Sequence, residues 1–221
     1  MKILFLFVSL CTVFSASAAV ECQMLLPEKE QKEILSLRRY PQSTKLRLSA
    51  AAIKDGYAAL DKKDLDNAMR EFNRALRFNP KNFDAYWGAA IVMGLKAERV
   101  KSIYDAQNLI KLSLKLFQKA QTYLSKDKIE QENFQLDYAA SFYVAGKFFL
   151  ESDKNAAEKY FLEAEKIWLP LLKDRDMKKQ RDALVYYRTC WHLTKLYRDW
   201  GKEDLYKKYL NSLPAALRKG L

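Results

Sequence analysis

The sequence predicts an all-α protein of about nine helices, and three observations support this. Glycine and proline number only 6 and 5 among 221 residues. That is about half of their usual share, so collagen-like and turn-rich β chains are excluded. Apolar residues make up 49% of the chain, too many for a disordered protein. They recur three and four residues apart, as on one face of a helix, and no segment has clear strand alternation.

Capping residues and helix breakers divide the chain into the predicted helices. Pro27 can begin the first helix, which ends before Pro41, because proline suits a first turn and disfavours helix just before it. Pro170 is expected to mark the end of a helix, and Pro214 to follow the end of another. The predicted helices span residues 27–39, 43–61, 64–78, 82–96, 103–125, 128–150, 153–172, 177–199 and 202–212.

Residues 1–19 have the pattern of a cleaved secretory signal peptide. Lys2 precedes a largely apolar run over residues 3–14, and the small residues of 15–19 follow, so cleavage is expected after Ala19 or Ala18. The run is shorter than the about 20 residues that a membrane span needs. An uncleaved anchor is the alternative. We therefore expect an exported protein, located in a bacterial periplasm or secreted.

The positive charge is concentrated near the C-terminus. The chain has a net charge of +12, and residues 171–221 hold thirteen basic and six acidic residues. An exported protein meets anionic lipid headgroups and cell-wall polymers rather than nucleic acid, so these polyanions are the candidate partners of a basic surface. The alternative is a solvated helical face without a partner. The basic surface is represented by Lys178, Lys179, Lys207 and Lys208.

Two cysteines, Cys22 and Cys190, remain after the signal peptide is removed. An even number in an oxidising compartment permits one disulfide. However, Cys190 belongs to an apolar helical stripe with Tyr186 and Leu193, where a cysteine is often a small buried hydrophobic residue. Both interpretations stay open at this point.

Catalytic and metal-binding motifs are not found in the sequence. Its single histidine, His192, lies about 200° around a helix from Cys190, so the two cannot act as base and nucleophile. We expect His192 to lie on a polar face with Lys195 and Asp199. The sequence contains no HExxH, no CxxC and no glycine-rich phosphate loop. We therefore expect a protein that is not an enzyme and uses no cofactor or metal.

A recurring set of small and aromatic residues indicates repeats. Ala68, Phe72 and Ala75 lie on one helix face, Gly56 precedes Ala68 by twelve residues, and Pro80 follows. These positions resemble the tetratricopeptide repeat (TPR), a pair of antiparallel helices. The pattern recurs with phenylalanines 45 and 44 residues apart, against a TPR period of about 34 residues. The later matches are Phe117 and Ala120, then Ala157, Phe161 and Ala164.

The resemblance implies a right-handed TPR-like α-solenoid with an N-terminal capping helix. Its expected parts are the signal peptide (1–19), an N-terminal segment with the capping helix (20–42), the helical repeats (43–214) and a C-terminal tail (215–221). In TPR proteins the first helix of each repeat lines a concave groove that binds protein segments. The positions that the resemblance assigns to this groove are Ile53, Tyr57, Leu60, Trp87, Ile91, Phe142 and Phe149.

These groove positions are nearly all apolar or aromatic. TPR proteins that bind a C-terminal carboxylate place Lys, Asn or Arg there, so that type of binding is not expected. Two functions follow from the sequence. The first is a protein-interaction scaffold or assembly adaptor that holds a segment of a cell-envelope protein in the groove. The second is an envelope adaptor whose basic C-terminal region binds anionic lipid or cell-wall polymer. A further alternative is that other helices cover the groove residues as part of the core.

Overall fold

The computed structural model describes residues 40–173 and 181–218. Within them the secondary structure is helical, with no strand, and consecutive helices pack against each other, so the protein has the predicted all-α fold. The helices are α1 (Gln42–Asp61), α2 (Leu65–Phe78), α3 (Phe83–Ala97), α4 (Ile103–Gln121), α5 (Lys128–Phe149), α6 (Lys154–Lys173), α7 (Arg181–Asp199), α8 (Glu203–Ser212) and α9 (Ala215–Arg218).

Eight of the nine predicted helices fall wholly or largely among these residues, and each of the eight is found. The expectation for Pro170 is wrong, because it lies inside α6 rather than at its end. Proline removes one backbone donor, and near the end of a helix and on its exposed side that loss is tolerated. The short helix α9 occupies part of the segment expected as a tail. The signal peptide and the capping helix lie outside the described residues.

Side-chain caps explain why five of the helices begin where they do. In each case an Asp, Asn or Ser accepts a hydrogen bond, of 2.8–3.2 Å, from the backbone N–H three residues later. This bond satisfies a donor that the first turn leaves without an intrahelical partner. The capping residues are Asp64, Asn82, Ser102, Asp127 and Asp153.

The helices form two compact units. Unit 1 extends to Val92 and includes Gln118–Tyr123, and it contains the α1–α2 pair. Phe72 of α2 is fully buried there, between Gly56 of α1 and Gly88 of α3. A Cβ atom built at Gly56 would lie 2.8 Å from the Phe72 ring, and one built at Gly88 would lie 2.3 Å from it. Phe72 therefore fills the space that the two glycines leave, as the TPR resemblance implies.

Unit 2 contains Met93–Phe117 and the residues from Leu124 onward. Its α5–α6 pair repeats the arrangement of unit 1, because the buried Phe161 of α6 lies against Gly146 of α5, where a built Cβ atom would approach the ring to 2.4 Å. On its other side Phe161 stacks on His192 of α7. The pair α5–α6 thus corresponds to α1–α2, and α7 corresponds to α3. Both units contain TPR-like helix packing.

The end of unit 2 is closed by α8. Tyr209 of α8 is buried, stacks on Tyr197 of α7 with ring centroids 5.5 Å apart, and donates a hydrogen bond of 2.5 Å to a carboxylate oxygen of Glu165 on α6. Gly201 lies in the turn between α7 and α8 with φ at 65°, a left-handed conformation that glycine adopts without strain. α8 is therefore tied to both preceding helices.

Candidate functional site

Five of the predicted groove residues lie together in unit 1. We call them the unit 1 face: Ile53, Tyr57, Leu60, Trp87 and Ile91. All five are half-buried, so part of each side chain remains in contact with solvent. The face belongs to α1 and α3, the two helices that contribute Gly56 and Gly88 to the Phe72 contact. The packing of the core thus positions this face.

Two aromatic residues of the unit 1 face are held by neighbouring rings. Tyr57 meets Phe72 edge to face at 5.1 Å between ring centroids, and its hydroxyl lies 3.5 Å from the backbone oxygen of Asp84. Trp87 packs against Phe83, with centroids 5.5 Å apart. Aromatic rings fixed in this way lose little conformational freedom on binding, and Tyr and Trp are enriched among residues that dominate interfaces.

The expectation for the other two groove residues is corrected by the structure. Phe142 and Phe149 of α5 are buried and pack against Tyr160 of α6, with centroids 6.3 and 5.3 Å away. They belong to the core, as the covering alternative proposed. The physical reason is a difference in register: Gly56 precedes Phe72 by sixteen residues, whereas Gly146 precedes Phe161 by fifteen. The positions in and just after α5 that correspond to Ile53 and Leu60 are therefore Tyr143 and Leu150. Leu150 is half-buried, whereas Tyr143 is buried.

A cavity of about 390 Å³ lies in unit 2 where the sequence predicted no site. It lies along α7 and reaches the end of α5 and the start of α6. Trp191 supplies an aromatic wall, with the Lys195 ammonium 4.6 Å from the centre of its ring. The lining residues are Leu150, Glu151, Lys154, Trp191, His192, Lys195, Leu196 and Asp199.

His192 lies beside Lys195 and Asp199, as predicted, and lines the cavity with them, but it is half-buried and also packs against rings of neighbouring helices. Its imidazole lies parallel to the Phe161 ring, with centroids 5.2 Å apart, and contacts Tyr143 and Trp191. Burial, together with the positive charges of Lys147 and Lys195, lowers the pKa of His192 to about 4. The imidazole is therefore neutral at pH 7. The helical wheel did place it beside Lys195 and Asp199, but gave no information about Phe161 of another helix.

Only half of the predicted basic surface can be described. Lys207 and Lys208 of α8 are exposed, whereas Lys178 and Lys179 lie outside the described residues. Lys207 forms an ion pair of 3.2 Å with Glu203, and the Lys208 ammonium lies 4.6 Å from the centre of the Tyr209 ring. Intramolecular partners thus engage both lysines, and the polyanion hypothesis stays a prediction.

Cys190 is a fully buried thiol on α7. Burial raises the pKa of Cys190 to about 12, although a hydrogen bond with Tyr186 acts in the opposite direction. At neutral pH the group is protonated and unreactive. Cys22 lies outside the described residues, so the disulfide between them remains untested.

Among the described residues, no group of three His, Cys, Asp or Glu side chains is arranged to hold a metal ion. Over the same residues, no helix combines the length and the apolar character that crossing a bilayer requires.

Neither a family model nor a curated protein matches the sequence. One solved structure, published as "Functional Characterization of Pseudomonas Aeruginosa pilF", aligns with 76% of this chain and 91% of its own. The sequence identity is 16% and the TM-score is 0.28. A similarity of this degree is too weak to show a shared function, and the TPR-like packing is seen in the contacts of Phe72 and Phe161 themselves.

Proposed function

We propose that the protein is an exported interaction scaffold, which binds a segment of a cell-envelope protein on the unit 1 face. The observation that supports this most is the pair Tyr57 and Trp87, two half-buried aromatic residues on helices held together by one buried phenylalanine. An apolar side chain of the partner can pack between such rings. The interaction is therefore mainly apolar and depends little on ionic strength.

Capture of partners by the immobilised mature protein tests this function. The double change Tyr57→Ala with Trp87→Ala should abolish capture of specific proteins from envelope extract, because both rings contribute large contact areas. Helical circular dichroism should be retained. Tyr104→Ala is the matched control, since this tyrosine of α4 is 69% exposed and lies in unit 2. Capture that survives the double change, in a folded variant, contradicts the proposal.

Polyanion binding through the C-terminal lysines is the competing function. Replacing Lys178, Lys179, Lys207 and Lys208 with glutamate should leave capture unchanged if the unit 1 face is the site. If this variant loses capture and the wild-type interaction disappears in about 0.5 M salt, electrostatic binding is favoured instead. This pair of measurements separates an apolar contact from a charged one.

Export rests on the pattern of residues 1–19 and is proposed separately. The intact mass of the protein recovered from the producing cell should correspond to a chain that begins at Val20 or Ala19. A mass that includes Met1 contradicts cleavage.

A further inference from the structure

The contacts of the two phenylalanines align the two units residue by residue. Gly56 and Gly146 occupy the same place beside Phe72 and Phe161, and so do Gly88 and His192 on the opposite side. From these anchors, the unit 2 residues equivalent to the unit 1 face follow by counting. They are Tyr143 for Ile53, Lys147 for Tyr57, Leu150 for Leu60, Trp191 for Trp87 and Lys195 for Ile91. Tyr143 is buried, and the other four are at least partly exposed. We call these five residues the unit 2 face.

The two faces differ chiefly in charge. The unit 1 face is uncharged, whereas the unit 2 face contains the ammonium groups of Lys147 and Lys195. Among the described residues neither ammonium has a carboxylate within ion-pair distance; each lies over an aromatic ring instead. The Lys147 ammonium is 5.8 Å from the centre of Tyr143, and that of Lys195 is 4.6 Å from the centre of Trp191. Both are therefore available to an anion.

Lys195 lines the cavity and Lys147 lies outside its lining, which also contains the acidic residues Glu151 and Asp199. Asp199 lies 3.9 Å from the Lys154 ammonium and 3.8 Å from the Arg198 guanidinium, so its carboxylate is already flanked by two cations. Glu151 is exposed in the turn between α5 and α6. The apolar part of the cavity is supplied by Leu150, Leu196 and the ring of Trp191. The site therefore combines a cationic side with an apolar wall.

We propose that the unit 2 face binds an acidic peptide segment, in which an Asp or Glu side chain lies next to an apolar one. The carboxylate is held between Lys147 and Lys195, while the apolar neighbour packs on Trp191 and Leu150. The cavity of about 390 Å³ has room for one or two side chains. This inference rests on the proposed function, that the chain binds protein segments, and adds a second contact of different chemistry.

Binding of synthetic peptides tests the inference directly. The probes are fluorescein-labelled heptapeptides, blocked at both ends, that place Asp or Glu beside Leu or Phe, each with a counterpart carrying Asn or Gln. The amide counterpart should bind about tenfold more weakly, as expected from two exposed ion pairs. A third peptide, whose only carboxylate is its C-terminus, should bind as weakly as the amide. If that peptide binds more tightly than the acidic heptapeptides, the site recognises a C-terminal carboxylate, and the proposal of an internal acidic segment is overturned.

The variant Lys147→Tyr with Lys195→Ile gives unit 2 the residues that unit 1 has at these positions. It should lose about tenfold in affinity for the acidic peptide and none for the amide peptide. Lys159→Tyr with Lys166→Ile is the matched control, because it makes the same changes at exposed positions of α6. Circular dichroism establishes that both variants fold.

His192 provides a readout that does not depend on affinity. It is the single histidine of the chain, so one imidazole signal in an NMR titration reports on this site alone. A carboxylate bound between Lys147 and Lys195 offsets their effect, and the pKa of His192 should rise from about 4. If acidic and amide peptides bind equally, or none binds below about 1 mM, the inference is overturned. Capture that depends on Tyr57 and Trp87 would persist in that case, leaving the proposed function intact.

Discussion

Phe161 and His192 stack almost parallel, with an angle of 3° between their rings and 5.2 Å between the centroids. This contact joins α6 to α7 as the contact of Phe72 with Gly88 joins α2 to α3. A histidine can replace a glycine here only if its ring takes over part of the contact surface. His192 is therefore a packing residue, and its ionisation affects the stability of unit 2.

Replacing Phe72 with alanine should lower the free energy of unfolding by about 3–5 kcal/mol, the usual cost of emptying a buried phenylalanine site. Phe72 is fully buried and contacts two glycine positions. Denaturant unfolding measures the loss, with the exposed Tyr104→Ala as the control. A loss below about 1 kcal/mol would show that Phe72 does not fill the core of unit 1.

Replacing Gly88 with alanine should destabilise the protein by about 1–3 kcal/mol, because the added methyl group overlaps the Phe72 ring. Gly94→Ala on the same helix is the control: its Cβ atom would meet Ser113 at 3.6 Å, an ordinary contact. Phe72→Leu should recover part of the Gly88→Ala loss. The assignment fails if the alanines at 88 and 94 have equal effects on the denaturant midpoint.

Protonation of His192 should destabilise the folded state in acid. Its pKa is lowered to about 4 in the folded protein from 6.5 unfolded, so between these values the unfolded chain binds more protons. The stabilising contribution of His192 to the free energy of unfolding is complete above about pH 6.5 and is lost as the pH falls toward 4. We expect this loss of unfolding free energy to be about 1–2 kcal/mol, after allowing for the partial solvent exposure of His192.

The measurement compares urea unfolding of the wild type and of His192→Gln at about pH 7 and pH 4.5. Glutamine does not titrate, so the difference in stability between the two proteins should shrink or change sign in acid. A difference that does not vary with pH would show that His192 titrates normally.

The thiol of Cys190 should resist iodoacetamide in the native protein at about pH 8, because it is buried and its pKa is raised to about 12. In denaturant without a reductant the thiol should be alkylated, as peptide mass mapping would reveal. If Cys190 reacts only after reduction, it forms a disulfide, and the pairing with Cys22 permitted by the sequence is supported.

The part of the fold that depends on local spacing could be predicted from the sequence. Ala68, Phe72 and Ala75 share one helix face whatever lies opposite, and all three are fully buried. Pro170 lies three residues before the end of α6, where a proline interrupts only one hydrogen bond, and the predicted end at residue 172 differs from the observed end by one residue. Spacing thus predicts which residues share a face of one helix, and helix breakers predict where that helix ends to within a few residues.

The site was less predictable, because it depends on the register between separate helices. Shortening the spacing of glycine and phenylalanine by one residue makes Tyr143 and Leu150, rather than Phe142 and Phe149, the positions in and just after α5 that correspond to Ile53 and Leu60. Of Tyr143 and Leu150, only Leu150 is partly exposed. The sequence prediction aligned the repeats on Phe72 and Phe161, and that alignment does not take the shorter glycine spacing into account. Trp191 was missed for the same reason: it is recognised as the equivalent of Trp87 only once His192 is found against Phe161.

The hydrogen bond between Tyr209 and Glu165 sets a limit on shortening the protein. Without α8, the Glu165 carboxylate would lose its tyrosine donor and the apolar face of Tyr197 would be exposed to water. Leu213, just after α8, is also buried. A truncation that preserves the packing of α6, α7 and α8 therefore retains the chain at least to Leu213, and any fusion partner or affinity tag belongs beyond that residue.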